Sequence, residues 1–275
     1  MSQEGTSRNK LTYVSENDSA IRKVLVNLLE ILTGRPKIQR LYDEIQKMDY
    51  ETHQSWSIAL NKLEIKRDFD RDKLTRLRGN TPLVVIANHP FGVVDGLIMG
   101  EIGAMVRESY SILTNSALCE LDPRIGDSLL PINFDATKEA QATNIETRKI
   151  AIERLERGEG LIIFPSGGVA TSKTPFGPAE DLEWKRFVVK LITKAEADVL
   201  PIYFHGKNSR LFQIATNIHE TLRMGMLLHE ARNKMGKSLN VTIGDVVPFS
   251  DLKDIKNKQE LLDKLKEITL SYGEA

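Results

Sequence analysis

The sequence predicts an α/β fold in which a mostly parallel sheet is flanked by helices and preceded by an N-terminal helical segment. From residue 80 onward, short apolar runs bounded by proline and glycine alternate with stretches of helical periodicity. This alternation is typical of βαβ units, which build parallel sheets. The apolar runs that we interpret as buried strands span residues 83–87, 129–134, 161–164, 199–204 and 240–247.

The chain divides into parts that differ in composition and in the spacing of their apolar residues. Residues 1–19, rich in Ser, Asn and Glu, predict a flexible leader, residues 20–78 a helical segment, and residues 79–275 the α/β domain with a C-terminal helix. We expect Gly34 and Pro36 to end the first helix of the segment. The apolar residues that recur there at helical spacing are Ile21, Leu25, Leu28 and Leu32, then Ile38, Leu41, Ile45 and Met48, then Ile58 and Leu60 to Leu63.

Helices are also predicted inside the α/β domain. One begins near Asn144, with Ile145, Ile152 and Leu155 facing inward. The tail forms a last helix that Asn257 caps. Another helix carries an apolar stripe at helical offsets, formed by Trp184, Phe187, Val188, Leu191, Ile192 and Ala195.

Composition excludes several classes of protein. Lys and Arg total 38 and so do Asp and Glu, whereas nucleic-acid-binding proteins normally carry a basic excess. The single cysteine, Cys119, rules out an intrachain disulfide and fits a reducing, cytoplasmic compartment. No apolar run approaches the ~20 residues that span a bilayer, and residues 1–10 lack the apolar core of a signal peptide. We therefore expect a soluble or peripheral protein.

Candidate catalytic residues follow the first predicted strand. His89 lies at the carboxyl end of that strand, where parallel sheets bind ligands. Pro90 and Gly92 favour a turn there. Such a turn lets the carboxylate of Asp95, at the start of a predicted helix, accept a hydrogen bond from the Nδ1–H of His89. The Nε2 atom is then left as a base. The alternative is a structural pair, in which Asp95 only stabilises the helix start.

Two other loops follow predicted strands and carry candidate binding groups. Ser166, Gly167 and Gly168 form a glycine-rich turn whose N–H groups can point at a developing oxyanion. A plain turn is the alternative. Lys207 and Arg210 are candidates for contact with a phosphate or carboxylate, and a solvated loop is the alternative there.

These motifs, in this order, resemble those of the lysophospholipid and glycerolipid acyltransferase family. Asn88 and His89, followed by Asp95, match the family's first block. Residues 164–167, Phe-Pro-Ser-Gly, match its third block, and residues 200–202, Leu-Pro-Ile, match its fourth. The His-Pro-Phe-Gly and Lys-Asn-Ser segments are most similar to the hemolysin-like or ornithine-lipid-type branch. The resemblance covers about residues 80–250.

The resemblance implies an enzyme that moves a fatty acyl group from a thioester donor, acyl-coenzyme A or acyl carrier protein, to a lysolipid acceptor. It implies His89 as general base and Asp95 as the residue that orients it, with no metal and no resident cofactor. The protein would be cytoplasmic and peripheral at the inner face of the membrane, with the membrane surface and no nucleic acid among its partners. The substrate-binding candidates, including those from the loops above, are Asn88, Phe164, Pro165, Ser166, Gly167, Gly168, Lys207 and Arg210.

The chain departs from the family's pattern at three points. The family's spacing between His and Asp is usually one residue shorter. Ser166 stands where the family has a Glu that helps to hold a glycerol phosphate, which argues against glycerol 3-phosphate as the acceptor. Residues 131–136 lack the Arg of the second block, and Arg148 either replaces it or lies on a helix surface.

Other classes of function remain open from the sequence. A serine hydrolase would use Ser166 with the His–Asp pair, although the Gly-x-Ser-x-Gly elbow is missing. A non-enzymatic peripheral lipid-binding protein would use the helices and the charge-dense stretch at 62–78, without needing the pair. A metalloenzyme is disfavoured, because neither His-Glu pair, at 219–220 and 229–230, has a second His four residues on.

Overall fold

The computed structural model describes residues 19–20, 23–24, 34–119, 122, 124–133 and 137–274. The helices are α1 (Arg35–Gln46), α2 (Ser55–Lys62), α3 (Arg71–Arg76), α4 (Val93–Val106), α5 (Lys138–Glu156), α6 (Phe187–Ala195), α7 (Arg210–Ile218), α8 (Glu220–Lys234) and α9 (Lys258–Ser271). The strands are β1 (Lys66–Asp68), β2 (Leu83–Ala87), β3 (Tyr110–Asn115), β4 (Leu129–Ile132), β5 (Gly160–Ile163), β6 (Thr171–Ser172), β7 (Ala179–Glu180), β8 (Asp198–Phe204) and β9 (Ser238–Ile243).

A seven-stranded sheet organises the fold, with the order β1-β9-β8-β2-β5-β3-β4. Strands β8 and β9 pair antiparallel, and the other neighbours in this sheet pair parallel. Strand β2 lies between β8 and β5, so Val84 pairs with Val199 on one side and Leu161 on the other. Strands β6 and β7 form a separate antiparallel hairpin. The predicted α/β class with a mostly parallel sheet is confirmed.

The two faces of β2 are buried in two separate apolar clusters. Val85 and Ala87 belong to one cluster, together with residues of α2, α4 and α8. Val84 and Ile86 belong to the other, with residues of α5, α6 and α9. Because successive side chains of a strand point to opposite faces, an unbroken apolar run is what a strand covered on both sides requires. The strand that ends at the candidate site is therefore fixed from both sides.

Two strands of the sheet are not predicted from the sequence. Strand β3 mixes polar and apolar residues, although it lies between β5 and β4. Strand β1 lies within residues 20–78, where the sequence predicts helix, so that prediction is wrong at Lys66–Asp68. Its charged side chains are compatible with a short edge strand but give no apolar signal. The sheet therefore begins before residue 79, and the division of the chain at that residue stays a prediction.

Helix α5 differs from its prediction in length and orientation. It begins before Asn144, because the hydroxyl of Thr137 accepts the N–H three residues on, at 3.1 Å, and caps the helix. Ile145, predicted to face inward, is 59% exposed, so that part of the prediction is wrong. The buried side of the helix is set by Thr147 and Leu155, and a residue two positions from Thr147 points away from it.

The N-terminal segment is described only in part. The leader and the predicted helix at residues 21–32 fall almost entirely outside the described residues. The next two predicted helices are confirmed as α1 and α2, which bury Ile38, Ile45 and Leu60. Of the helices in the described ranges, none combines the length and the apolar character needed to cross a bilayer.

A buried ion pair joins the N-terminal segment to helix α4. Glu101 of α4 is 7% exposed. It accepts two hydrogen bonds from Arg67 of β1, at 2.7 and 2.9 Å, and one from Arg71 of α3, at 3.1 Å. Burial alone would raise the pKa of the Glu101 carboxyl, but the two guanidinium groups hold it below its ordinary value.

We expect Glu101→Gln to lower the free energy of unfolding by about 3 kcal/mol at pH 7, since it breaks a buried pair. Because the folded pKa is depressed, this stabilisation is present above the carboxyl's unfolded pKa of about 4.3 and is lost as the pH falls through the folded value. Urea unfolding from pH 7 to pH 3 measures the difference from wild type. The control Glu44→Gln breaks an exposed pair with Lys62 and should cost under about 1 kcal/mol. Equal losses in the two variants would contradict the prediction.

Candidate active site

The candidate active site begins where β2 ends. Asn88 is buried, and its side chain binds the backbone of Phe204 at the end of β8 in both directions. Its Nδ2 donates to the Phe204 carbonyl at 3.0 Å, and its Oδ1 accepts the Phe204 N–H at 2.7 Å. These bonds join the carboxyl ends of two adjacent parallel strands. The sequence predicts Asn88 as a substrate-binding residue, whereas in the structure its side-chain amide is hydrogen-bonded to Phe204.

The turn after β2 is built around one carboxylate oxygen. Gly92, with φ +85°, is the N-cap of α4, a backbone conformation that L side chains rarely adopt. Asp95, in the first turn of the helix, reaches back so that its Oδ2 accepts the N–H groups of Phe91 at 2.7 Å and Gly92 at 3.0 Å. The turn predicted from Pro90 and Gly92 is therefore present.

His89 and Asp95 meet across this turn. The Nδ1 atom of His89 lies 3.0 Å from Asp95 Oδ2. The Asp95 side chain is fully buried, and the His89 side chain is 15% exposed. An ionised carboxylate only accepts hydrogen bonds, so this geometry fits a histidine that carries its proton on Nδ1. In the described part of the chain no group hydrogen-bonds to Nε2 of His89, so this nitrogen is available to a substrate.

The glycine-rich turn after β5 packs against this histidine. The ring of Phe164 stacks on the imidazole, with centroids 3.9 Å apart and planes at 20°. The N–H of Ala170 donates to the His89 carbonyl at 2.8 Å. Phe164, predicted as a substrate-binding residue, is thus in contact with His89 itself.

Within that turn, the N–H groups are not all available to bind an oxyanion. Ser166 is buried, and its hydroxyl donates to the Gly168 carbonyl at 3.0 Å. The N–H of Gly167 donates to the Phe164 carbonyl at 2.9 Å, which closes the turn. Gly167 is therefore not free to bind an oxyanion, contrary to the prediction from its sequence position. Pro165 is buried, and its carbonyl accepts the N–H of Lys185 at 2.8 Å.

Asp181 is a site residue that the sequence analysis missed. Its Oδ1 accepts the backbone N–H of His89 at 2.9 Å, and its Oδ2 accepts the indole N–H of Trp184 at 3.0 Å. Burial raises the pKa of the Asp181 carboxyl, although these hydrogen bonds act in the opposite direction. Trp184, predicted as the start of a helix stripe, precedes α6 and binds Asp181. Because Asp181 is 92 residues from His89 in sequence, no local pattern could reveal the contact.

A buried ion pair behind the turn was also missed. Lys234 of α8, 7% exposed, lies 3.4 Å from Glu230, which is fully buried, and 4.7 Å from the ring centroid of Phe91. Glu230 also accepts the backbone N–H of Ser209 at 3.0 Å. Burial lowers the pKa of the Lys234 ammonium, and the carboxylates of Glu230 and Asp95 act against this shift. The pair therefore connects Phe91, in the turn between His89 and Asp95, to Ser209 in the loop after β8.

The basic candidates lie in the loop after β8. Lys207 is exposed and has no ion pair within the described residues. Arg210 is exposed, and its Nη1 donates to the Gly177 carbonyl between β6 and β7 at 2.7 Å. Both residues follow Phe204, which is bonded to Asn88, so they lie at the same edge of the sheet as the His–Asp pair. No direct contact joins either of them to His89 in the described structure.

The arrangement can perform general base chemistry. An imidazole with a proton fixed on Nδ1 and an open Nε2 can remove a proton from a hydroxyl placed before it. The hydroxyl of Ser166 is not placed as the nucleophile for this base, since it donates to the Gly168 carbonyl. Over the residues the structure describes, no group of three His, Cys, Asp or Glu side chains is placed to hold a metal ion.

Comparison with known proteins identifies similar sequences. A family model described as Acyltransferase matches residues 64–271. A protein of Phocaeicola vulgatus named lyso-glycine lipid O-acyltransferase is 27% identical over 214 residues, which are 75% of this chain and 72% of the relative. A protein of the same name from Bacteroides thetaiotaomicron is 28% identical over 191 residues, 66% of this chain and 67% of the relative.

Among solved structures, the 1-acyl-sn-glycerophosphate acyltransferase of Thermotoga maritima is similar over 92% of this chain and 95% of its own. The two share 16% sequence identity, and the TM-score is 0.49.

The conformation of Gly92 gives a prediction for the turn. A Cβ there would lie 3.1 Å from Val169 and 3.2 Å from Leu227, at a positive φ. We expect Gly92→Ala to lower the free energy of unfolding by about 1–3 kcal/mol. The matched control is Gly96→Ala on the same helix, where a Cβ would meet nothing within 4 Å. It should stabilise the protein by about 0.5–1 kcal/mol. Denaturant unfolding compares the two, and equal stability of Gly92→Ala and wild type would rule out the strained turn.

Proposed function

The chain belongs to the acyltransferase family, and we propose that it transfers a fatty acyl group from a thioester donor to the hydroxyl of a lysolipid, with His89 as general base. The observation that carries this proposal is the 3.0 Å contact between His89 Nδ1 and Asp95 Oδ2, which leaves Nε2 free at the carboxyl edge of the sheet. Oriented imidazoles of this kind remove protons from hydroxyl nucleophiles.

In the proposed reaction, the acceptor hydroxyl hydrogen-bonds to Nε2 of His89. As its oxygen attacks the thioester carbonyl carbon, its proton passes to Nε2, and Asp95 stabilises the imidazolium that forms. When the tetrahedral intermediate collapses, the carbon–sulfur bond breaks and the proton leaves His89 for the departing sulfur. The products are an ester and a free thiol. Neither a metal nor a covalent acyl-enzyme takes part.

The Gly168 N–H is our candidate donor to the oxyanion of the intermediate. It makes no hydrogen bond within the described ranges, unlike the N–H of Gly167. Its turn is held to His89 through Phe164 and Ala170. A donor aimed at a developing oxyanion contributes roughly 10²–10³ in rate.

We propose an acceptor with an anionic headgroup. The two relatives named lyso-glycine lipid O-acyltransferase support a glycine-containing lysolipid. A glycine whose nitrogen is acylated presents a free carboxylate, which an exposed ammonium such as Lys207 or a guanidinium such as Arg210 can bind. The donor is acyl-coenzyme A or acyl carrier protein. The proposed location is the inner face of the cytoplasmic membrane, where donor and lipid acceptor meet.

Thiol release with purified protein, each donor and lyso-glycine lipid tests the proposed function. We expect His89→Ala to lower kcat/KM by about 10²–10⁴, because the positioned base is lost. Ser166→Ala should keep transfer within a fewfold of wild type, since its hydroxyl only closes the turn. Mass spectrometry should find the O-acylated lipid. Full activity in His89→Ala would reject the general base, and loss of activity with covalent probe labelling at Ser166 would instead support a serine hydrolase.

Lys207→Gln tests the headgroup contact. If Lys207 binds the acceptor carboxylate equally in the ground state and the transition state, we expect KM for the acceptor to rise about threefold to tenfold, with kcat unchanged. Lys185→Gln is the matched control, because Lys185 is also exposed but pairs with Glu183. Its KM should equal that of wild type. An unchanged KM in Lys207→Gln would remove this residue from the acceptor site.

A further inference from the structure

Helix α7 is apolar on the side that faces solvent. Leu211 is 54% exposed and Ile218 is 67% exposed. They are seven residues apart, so they lie on one side of the helix, two turns from each other. The opposite side is already packed, since Phe212 and Ala215 are buried. Leu211 and Ile218 therefore do not lie on the side of the helix that packs against the protein.

The hairpin of β6 and β7 adds a third exposed apolar side chain to the same region. Phe176, between the two strands, is 80% exposed. Next to it, the Gly177 carbonyl accepts the 2.7 Å hydrogen bond from Arg210, which precedes Leu211. Further along α7, Gln213 accepts the N–H of Ser172 at 2.7 Å. Hydrogen bonds at two points, the end of β6 and the loop that follows it, thus join the hairpin to the helix.

This unit lies directly over the turn that holds His89. Phe212 and Ala215 form a small apolar cluster with Val169 and with residues of α8, separate from the two clusters of the sheet. A Cβ on Gly92, at the start of α4, would touch Val169 and Leu227 of this cluster. One layer of side chains therefore separates the outer face of α7 from the catalytic turn.

Basic side chains border the apolar residues. Lys173 lies at the start of the hairpin loop, 3.6 Å from the exposed carboxylate of Glu180. Lys207 and Arg210 precede Leu211, and all three basic side chains are exposed. Apolar side chains ringed by Lys and Arg are typical of surfaces that bind anionic bilayers. The other large exposed apolar residues, such as Ile145 on α5, lie singly on separate elements, which needs no explanation.

We propose that Phe176, Leu211 and Ile218 form a docking surface for an anionic lipid bilayer, which we call the cap face. It rests on the proposed function, because a lysolipid acceptor resides in such a bilayer. The apolar side chains enter the interface, while Lys173, Lys207 and Arg210 remain at the headgroups. Docking in this orientation turns the carboxyl edge of the sheet, with His89, toward the lipid.

Vesicle co-sedimentation tests the surface without turnover. Wild type should bind vesicles of equal parts phosphatidylglycerol and phosphatidylcholine more tightly than vesicles of phosphatidylcholine alone. The triple variant Phe176→Ser, Leu211→Ser, Ile218→Ser should bind the anionic vesicles about a hundredfold more weakly, since each lost apolar side chain removes part of its transfer free energy. The control Ile145→Ser, with a residue 59% exposed on α5, should bind as wild type does.

Activity in two formats completes the test. With a short-chain acceptor that stays monomeric, the triple variant should turn over at the wild-type rate; with the acceptor in vesicles, it should lose at least about tenfold. Wild type without affinity for anionic vesicles, or a triple variant that binds them normally, would overturn the cap face. So would a wild-type dimer that the triple variant converts to a monomer. Absence of wild-type activity in both formats would reject the proposed function, while the sedimentation result would still decide the docking surface.

Discussion

One oxygen atom, Oδ2 of Asp95, holds the candidate site together. It is buried and accepts three hydrogen bonds, from His89 Nδ1 at 3.0 Å, Phe91 N–H at 2.7 Å and Gly92 N–H at 3.0 Å. The same carboxylate therefore shapes the turn, binds the first N–H groups at the start of helix α4 and contacts the imidazole. Asp181 holds the histidine backbone, and Phe164 covers its ring. These contacts come from separate parts of the chain, and together they hold the backbone and the ring of His89 in one arrangement.

Much of the fold follows from apolar patterning. Strand β2 is a run of five buried residues, and such a run is what a strand covered on both faces requires. Patterning fails where packing rather than local sequence decides. Strand β1 is charged and gains its structure by pairing with β9. Helix α5 extends further than its apolar spacing indicates, because the cap at Thr137 fixes its start.

The part of the site that could be predicted is the part whose residues are close together in sequence. Asn88, His89, Pro90 and Gly92 are close in sequence to Asp95, so turn propensity alone predicts that the pair can meet. Contacts made across the fold carry no such signal, and the contact of Asp181 with His89 was missed for that reason. Glu230 and Lys234 are four residues apart on one helix, but nothing in the local sequence shows that they contact Ser209 and Phe91. A motif also does not show which groups are already engaged: the Gly167 N–H and the Ser166 hydroxyl both bind within their own turn.

We propose that Asp95 fixes the Nδ1–H tautomer of His89 and leaves Nε2 as the basic nitrogen. Two-bond ¹H–¹⁵N correlation spectra of the labelled protein at neutral pH measure this directly. His89→Gln identifies the resonances of His89 among those of the five histidines. We expect a protonated Nδ1 and an unprotonated Nε2 in wild type. A proton on Nε2 with an unprotonated Nδ1 would contradict it.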